Sequence, residues 1–223
     1  MTADAPPPRT VYDRIADHFG ATREHPWPEV EAFVADRVVG ADRAVDVGCG
    51  NGRHAEPLAE RVRRVVGVDA SGALLRLASD RAAGRGFADA FVPVTGDAAA
   101  LPFRADVFDA ALYVATLHHL RPRARRVRSL DELARVLRPD APALVSAWSV
   151  AHDRFDADAG FDTTVDWTLP DGETVPRFYH VYDREEFAAD LRDSALSTVE
   201  TFRSSGNCYA VVRGSSAERR GNG

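Results

Sequence analysis

Three closely spaced glycines and three aspartates in this sequence have types and positions that could bind a small organic ligand. The stretch DVGCGNGR contains Asp46, followed by glycines at positions 48, 50 and 52, directly after a hydrophobic run. Asp69 and Asp97 follow two further hydrophobic runs in the same way. Glycines after a strand let the backbone turn sharply and approach a ligand, and the following helix presents free N–H groups there.

The charge and spacing of these residues decide between two classes of ligand. Dinucleotide enzymes use the pattern G-x-G-x-x-G, whereas the third glycine here comes one residue early. Asp46 would repel a phosphate and attract a cationic amino-acid group, such as that of S-adenosylmethionine (SAM). Asp69 can accept from both ribose hydroxyls, and Asp97, beside the backbone N–H of Ala98, can accept from the adenine amino group. The sequence therefore favours SAM over a dinucleotide; the alternative is a set of turn glycines with capping aspartates.

The elements that must position these residues alternate between strand and helix from Arg43 onwards. Five such strands predict a doubly wound, parallel α/β sheet, with the third strand at an edge because it contains Pro93. Two helices precede the sheet, the first with Thr10 as a predicted N-cap, and an antiparallel strand pair closes it. The predicted cofactor-binding residues are Asp46, Gly48, Cys49, Gly50, Asn51, Gly52, Asp69, Ala70, Asp97, Ala98 and Thr116.

The changes in composition along the chain predict one domain between two tails. The tails are expected to be flexible at residues 1–9 and 215–223, with a single domain at 10–214. Within the domain, residues 10–42 form the N-terminal helices and 43–149 the cofactor-binding core. Residues 150–214 form an insert on the substrate side, acidic at first, and then the closing strands.

The charged residues are unusual because the sequence contains no lysine. Arginine supplies all 28 basic residues against 34 acidic ones, so the net charge is −6, a composition typical of a GC-rich genome and a high-salt cytoplasm. A negative chain binds nucleic acid only where its positive charge is clustered. No apolar run reaches the roughly 18–20 residues of a membrane span, and no export signal begins the chain. Its two cysteines have no metal-ligand spacing, so we expect a cytoplasmic protein without a metal site.

Residues 43–148 resemble the SAM-binding core of class I methyltransferases, and a narrower resemblance covers most of the chain. The stretch VYDRIADHFGATREHPWPEV is similar to the N-terminal signature of the tRNA wobble-uridine carboxymethyl methyltransferases, which include the methyltransferase domain of the AlkB-type fusion enzymes. Three further blocks match in order: TLHHLRPRARRVRSLDELARVLRP, FYHVYDREEF and GNCYAVV. The segment RPDAPA replaces the family's Pro-Gly-Gly, and residues 152–173 match poorly. The resemblance implies a Rossmann-like class I methyltransferase fold with seven strands, the C-terminal one antiparallel.

The resemblance also implies a reaction: methylation of the carboxylate of 5-carboxymethyluridine at the tRNA wobble position, giving a methyl ester. A carboxylate with a pKa near about 4 is ionised at neutral pH and needs no general base. Catalysis then rests on placing the carboxylate beside the sulfonium. The predicted catalytic residues are Arg23, His119 and Tyr179. The predicted substrate-binding residues are Trp27, His118, Arg177, Asn207, Arg121 and Arg125. One of the two adjacent histidines is expected to be buried and the other to face the pocket.

Two features predict partners. The stretch RPRARRVR carries five arginines between positions 121 and 128, which either contact phosphates of the tRNA anticodon loop or form a solvated helix face paired with Asp131 or Glu132. Family members of this kind usually need a small zinc-binding activator subunit that adds a strand to the sheet edge. In this sequence Ala90–Thr95 is the predicted edge strand to which the activator would add its strand, and the complex would be a heterodimer.

Two other functions remain open at this point. A different class I methyltransferase acting on a small molecule or a protein would share the fold and the cofactor site. A SAM-binding scaffold without catalysis would act through its partner, although a scaffold has no need of the three aspartates.

Overall fold

The computed structural model describes residues 6–214, so residues 1–5 of the predicted N-terminal tail (1–9) and the whole predicted C-terminal tail (215–223) lie outside the described residues. The predicted N-terminal tail is too long, because its residues Pro8 and Arg9 begin the first helix. Among the described residues, seven strands form one sheet in the order β3-β2-β1-β4-β5-β9-β8, and β6 and β7 form a separate hairpin. The strands are β1 (Arg43–Val47), β2 (Arg64–Asp69), β3 (Phe91–Thr95), β4 (Ala110–Tyr113), β5 (Pro142–Trp148), β6 (Phe161–Thr168), β7 (Thr174–Val181), β8 (Ser197–Ser204) and β9 (Asn207–Arg213). The predicted sheet, with its edge strand at β3 and its antiparallel closing pair, is confirmed.

Helices cover both faces of the sheet. They are α1 (Pro8–Ala21), α2 (Pro28–Arg37), α3 (Ala55–Ala59), α4 (Gly72–Arg85), α5 (Arg123–Val136) and α6 (Arg184–Arg192), with short 3-10 helices at Ala88–Ala90 and Leu117–His119. The expected N-cap at Thr10 is wrong, because α1 already begins at Pro8, where the fixed φ of proline suits a first turn. Among residues 6–214, no helix is long and apolar enough to cross a membrane.

The parallel strands bring three aspartates to one edge of the sheet. β1, β2 and β3 are parallel neighbours, and their register pairs Asp46 with Gly67 and Asp69 with Thr95. Since the carboxyl ends of parallel strands meet at the same edge, Asp46, Asp69 and Asp97, which lies two residues beyond β3, approach one another there. The strand order reverses between β1 and β4, and open α/β sheets bind ligands at such a switch point.

The predicted acidic insert folds back over this edge as the β6–β7 hairpin. Its register pairs Val165 with Arg177 and Trp167 with Val175, so these four side chains share one face of the hairpin. Val175 and Trp167 pack against apolar side chains of α1. The composition of this part of the insert indicates only that it is polar. In the structure it forms β6, whose inward face lies beside α1.

Candidate active site

A cavity of about 750 Å³ opens at the carboxyl edge of the sheet. Its walls come from the loops after β1, β2, β3 and β4, from α1, and from Phe178 of β7. Ten of the residues predicted from the sequence line it: Gly48, Gly50, Asp69, Ala70, Asp97, Ala98, Thr116, His119, Arg121 and Arg125. The loops after the strands thus bring seven of the eleven predicted cofactor residues and three of the nine predicted catalytic and substrate residues to one space.

The glycine at position 48 is required by both its conformation and its surroundings. Its φ is +72°, and a Cβ at this position would lie 2.0 Å from Oγ1 of Thr116. The N–H of Gly48 donates to the carbonyl of Val68 at 2.7 Å, which holds the loop against the end of β2. A side chain here would have to push the loop away from β2 and from the cavity wall.

We therefore expect Gly48→Ala to weaken SAM binding by at least about tenfold and to lower the melting temperature, since both the positive φ and the clash cost free energy. Gly84→Ala is the matched control, because Gly84 lies inside α4 with nothing within 4 Å of an added Cβ. The control should retain SAM affinity and gain slight stability. Calorimetric titration and thermal unfolding of both variants measure the two effects, and equal behaviour of the two would contradict this account.

Asp69 fastens the glycine loop to the second strand. Its Oδ2 accepts from the N–H of Gly50 at 2.9 Å and its Oδ1 from the N–H of Ser71 at 2.8 Å. Burial raises the pKa of Asp69, and these backbone hydrogen bonds oppose that shift. Both oxygens keep acceptor capacity toward the cavity, because a carboxylate oxygen can accept two hydrogen bonds.

Asp46 is a buried carboxylate without a full set of partners. The residue is 1% exposed, and its Oδ2 has no hydrogen-bond partner among the described residues. Burial and then the nearby charge of Asp69 raise the pKa of Asp46 to about 7, while Arg53 opposes them. A bound ligand with a cationic group next to Asp46 would stabilise the ionised form of this buried carboxyl group.

Two histidines follow β4, and the structure separates their roles. Nδ1 of His118 accepts from the N–H of Trp148 at 2.9 Å, and burial holds the pKa of His118 well below its usual range. His119 lines the cavity; its Nδ1 lies 3.0 Å from the carbonyl of Phe178, and its Nε2 lies 2.9 Å from the hydroxyl of Tyr12. Burial lowers the pKa of His119 to about 4. The neutral ring therefore donates to Phe178 and accepts from Tyr12, so both of its nitrogens are occupied.

A group of cationic and aromatic side chains lies beside the cavity. The guanidinium carbon of Arg177 lies 4.7 Å from the ring centre of Trp167 and 5.2 Å from that of Tyr179. The guanidinium carbon of Arg23 lies 5.4 Å from the same Trp167 ring, so the two guanidinium groups share one indole. Arg177 is 9% exposed and its Nε has no partner in residues 6–214. Neither arginine forms an ion pair with an acid of the described chain, so together they leave uncompensated positive charge next to the cavity.

Comparison with known proteins identifies the family. The family described as "Methyltransferase domain" matches residues 45–145. The "Putative methyltransferase ECU09_1500" of Encephalitozoon cuniculi is 31% identical over 207 residues, which cover 90% of this chain and 92% of that protein. The chain belongs to the class I SAM-dependent methyltransferases.

Other relatives of this methyltransferase carry more specific names. The "tRNA (carboxymethyluridine(34)-5-O)-methyltransferase alkbh8" of Xenopus tropicalis is 37% identical over 143 residues, which cover 64% of this chain but only 21% of that protein. The first relatives in this group are thus several times longer than the part that the chain matches.

Solved structures agree on the fold. CcbJ methyltransferase of Streptomyces caelestis superposes with a TM-score of 0.76 at 22% identity, over 93% of this chain and 98% of that one. A structure described as "Complex between the Haloferax volcanii Trm112 methyltransferase activator and the putative methyltransferase" superposes with a TM-score of 0.67 at 17% identity, over 92% and 97% of the two chains.

SAM is the cofactor of this methyltransferase, and the residues present fit it. The unpartnered Oδ2 of Asp46 suits the amino group of the methionine moiety. Gly48 has a positive φ and no room for a Cβ, so its backbone can approach the ligand closely. Asp69 would hold the ribose hydroxyls, and Asp97 with Ala98 would hold the adenine. When bound, SAM supplies an electrophilic methyl group on its sulfonium.

Four residues of the predicted cofactor set are absent from the cavity lining: the buried Asp46, described above, and Cys49, Asn51 and Gly52, which lie behind the wall. Cys49 is buried, and its Sγ would lie 3.0 Å from a Cβ at Gly67 of β2. Nδ2 of Asn51 donates to the carbonyl of Arg23 at 2.8 Å, which ties the loop to the segment after α1. Gly52 packs closely against Ala78 of α4. The contacts of these residues shape the loop rather than line the cavity.

Six of the nine predicted catalytic and substrate residues are absent from the cavity lining: Arg23, Tyr179, His118 and Arg177, whose contacts are given above, and Trp27 and Asn207. Trp27 precedes α2 and is partly buried against the core, with the guanidinium carbon of Arg53 5.0 Å from its ring centre. Asn207 begins β9, where its Nδ2 donates to the carbonyl of Ser205 at 3.0 Å. The ring of Trp27 contacts His54 and Arg53, so its position indicates a packing role, and its predicted part in substrate binding stays a prediction.

The five arginines between positions 121 and 128 form a row just before and along the start of α5, which we call the arginine row. Most of their charged groups contact other residues of the protein. Arg126 is 3% exposed, so its expected contact with phosphate is wrong. The expected interaction with Glu132 is present for Arg128, which, after Arg135, holds the pKa of Glu132 below its usual range. The other acids that meet these arginines lie on α6, directly after α6, or at Asp97. The ion pairs are Arg123 with Asp190 and Asp193, Arg126 with Glu186 and Asp190, and Arg125 with Asp97.

Tyr12 and Trp167 are site residues that the sequence did not single out. Tyr12 stood in the N-terminal match to the family, so its signal was present but its role was not assigned. Burial and the nearby Tyr179 raise the pKa of Tyr12 well above its usual range, while Arg177 opposes them. Trp167 lies in the poorly matched insert, and Nε1 of its indole donates to Nδ1 of His18 at 3.1 Å. Only the hairpin register reveals that this ring meets the two arginines.

Proposed function

We propose that this methyltransferase transfers the methyl group of SAM to the carboxylate of 5-carboxymethyluridine at the wobble position of tRNA, giving a methyl ester. The proposal rests mainly on the environment of Arg177, which is buried, has an unpartnered Nε and has no acidic partner in residues 6–214. A buried cation without a carboxylate is stabilised by an anionic ligand, which favours an acceptor that is itself a carboxylate. The name of the Xenopus relative supports this acceptor.

The groups of the chain would orient the acceptor rather than exchange protons with it. An ionised carboxylate could accept the electrophilic methyl group that SAM would supply without gaining or losing a proton, so no residue of the chain would need to act as a general acid or base. Arg177 and Arg23 would hold the carboxylate, and Trp167 would keep the two guanidinium groups apart. Tyr179 packs against His118 and His119, at ring-centre distances of 5.0 and 4.6 Å, and closes that wall. His119 would act through Tyr12, because both of its nitrogens are already bonded.

The partners follow from the proposed acceptor. The tRNA anticodon loop would enter from the side of the β6–β7 hairpin and bring the modified base to the cavity. A small zinc-binding activator subunit would cover β3, whose outer edge is unpaired within the described sheet. The Haloferax complex with an activator, on the same fold, supports a heterodimer of this kind.

A tRNA acceptor also implies a cytoplasmic enzyme, and Cys49 and Cys208 agree with this because both are free and buried. The arginine-only basic set and the net charge of −6 support a protein adapted to high salt. Assays should therefore be repeated at molar KCl.

The proposal is tested by transferring radiolabelled methyl from SAM to tRNA of a strain that lacks this gene, with the chain co-expressed with a candidate activator. We expect label on tRNA that mild base releases, as a methyl ester requires. Base-stable label on tRNA would contradict the ester, and label only on small molecules or proteins would support a different acceptor. Wild-type tRNA, whose wobble position is already modified, is the control and should accept little label.

A further inference from the structure

Arg125 forms an ion pair with Asp97, which is one of the predicted cofactor-binding residues of the cavity. It lies in the first turn of α5, and its Nη2 is 2.6 Å from Oδ2 of Asp97. Both side chains are about half exposed, at 47% and 45%, and both residues line the cavity. The ion pair therefore forms part of the cavity wall at the place where the third strand ends.

This contact completes the fixation of the Asp97 carboxylate. Its Oδ1 accepts from the N–H of Ala99 at 2.9 Å, and its Oδ2 accepts from Arg125. With one partner on each oxygen, the plane of the carboxylate is set, and each oxygen still has a lone pair available. A preoriented acceptor binds an amino group more tightly than one that must first be ordered, because the ordering cost has already been met.

The neighbouring arginines of the row have different partners. Arg123 and Arg126 pair with acids of α6 and its C-terminal end, and Nε of Arg128 donates to the carbonyl of Ala99. Arg128 and Arg125 thus grip the same turn, residues 97–99, from one helix. Two of the five arginines, Arg125 and Arg128, therefore hold the turn that would bind the adenine.

We infer that Arg125 is a positioning residue for the cofactor, which holds Asp97 in place to accept from the adenine amino group, and that it is not a tRNA phosphate contact. The inference goes beyond the proposed tRNA reaction and does not depend on it. It concerns SAM binding, which can be measured without any acceptor.

The test is calorimetric titration of S-adenosylhomocysteine and SAM into the full chain and its variants. We expect Arg125→Ala to weaken binding about fivefold, the upper range for an exposed ion pair, and Arg125→Lys to restore part of the loss. In an Asp97→Ala background, Arg125→Ala should cause no further loss, because its effect passes through that carboxylate. Arg154→Ala, an exposed arginine of the insert, is the matched control and should bind SAM normally.

A phosphate contact would give the opposite pattern. SAM affinity would be unchanged, tRNA affinity would fall, and the salt dependence of log K for tRNA would lose about one unit of slope. That result, or equal losses from Arg125→Ala with and without Asp97, would overturn the inference. Thermal unfolding of each variant identifies any that misfold, and Arg125→Gln then replaces the alanine variant. Failure of the tRNA reaction itself would leave these binding results intact.

Discussion

Arg177→Met is expected to lower kcat/KM for the acceptor by about 10²–10³-fold while leaving the affinity for SAM unchanged. The arginine is 9% exposed and has no acidic partner among residues 6–214, so the acceptor carboxylate would be its counter-ion. Methionine keeps much of the volume of the side chain and its packing on Trp167 while removing the charge and the hydrogen-bond donors. Removing one member of a buried charge pair typically costs 2–5 kcal/mol, which sets the size of the expected loss.

Methyl transfer at saturating SAM and calorimetric titration of SAM measure the two halves of this prediction. Arg177→Lys should recover part of the activity because it restores the charge without the planar fork. Arg154→Ala removes an exposed arginine from the same insert and should retain full activity. An Arg177→Met enzyme within threefold of the wild type would contradict an anionic acceptor at this position, and a parallel loss of SAM binding would point to misfolding instead.

The cofactor half of the site could be predicted from the sequence because its geometry follows from topology. Asp46, Asp69 and Asp97 each lie at or just after the end of a parallel strand, and such ends must meet at one edge of the sheet. The glycine pattern indicated where the backbone turns, and the positive φ of Gly48 confirms it. Neither inference required knowledge of any contact between distant side chains.

The acceptor half depended on contacts that no local pattern encodes. Trp167 reaches Arg23 and Arg177 only because the hairpin register places it on the inward face, and a shift of one residue would turn it to solvent. Arg126 was expected at the surface, yet acids of α6 some 60 residues away compensate its charge and allow its burial. Charge clusters in sequence therefore predicted the location of the arginine row but not its use.

Asp46→Asn is expected to abolish tight SAM binding and, at the same time, to stabilise the cofactor-free protein above pH 7. Burial raises the pKa of Asp46 from its usual range near 4 to about 7 in the folded protein. A raised carboxyl pKa contributes stability below the unfolded value, and this contribution is lost as pH rises through about 7. Between the unfolded pKa of about 4 and the folded pKa of about 7, the free energy of unfolding of the wild-type protein falls by about 1.4 kcal/mol per pH unit, or roughly 4 kcal/mol in all. The Asp46→Asn variant carries a neutral amide and should not show this loss.

SAM affinity should follow the opposite course, because the amino group of the ligand needs the ionised carboxylate. In wild-type protein the affinity should rise with pH up to about 7 and fall again above about 8, where the amino group of the ligand loses its proton, whereas in the Asn variant it should be at least about 10²-fold weaker and show no rise toward pH 7. Thermal unfolding and calorimetric titration between pH 5.5 and 8.5 (about one and a half units on either side of the midpoint) measure both trends on the same samples. A variant that loses both stability and SAM binding at pH 8 would show that Asp46 is a structural acid whose charge the fold already compensates. A gain in stability with loss of binding would show that the folded protein keeps an unfavourable buried charge which the cofactor neutralises.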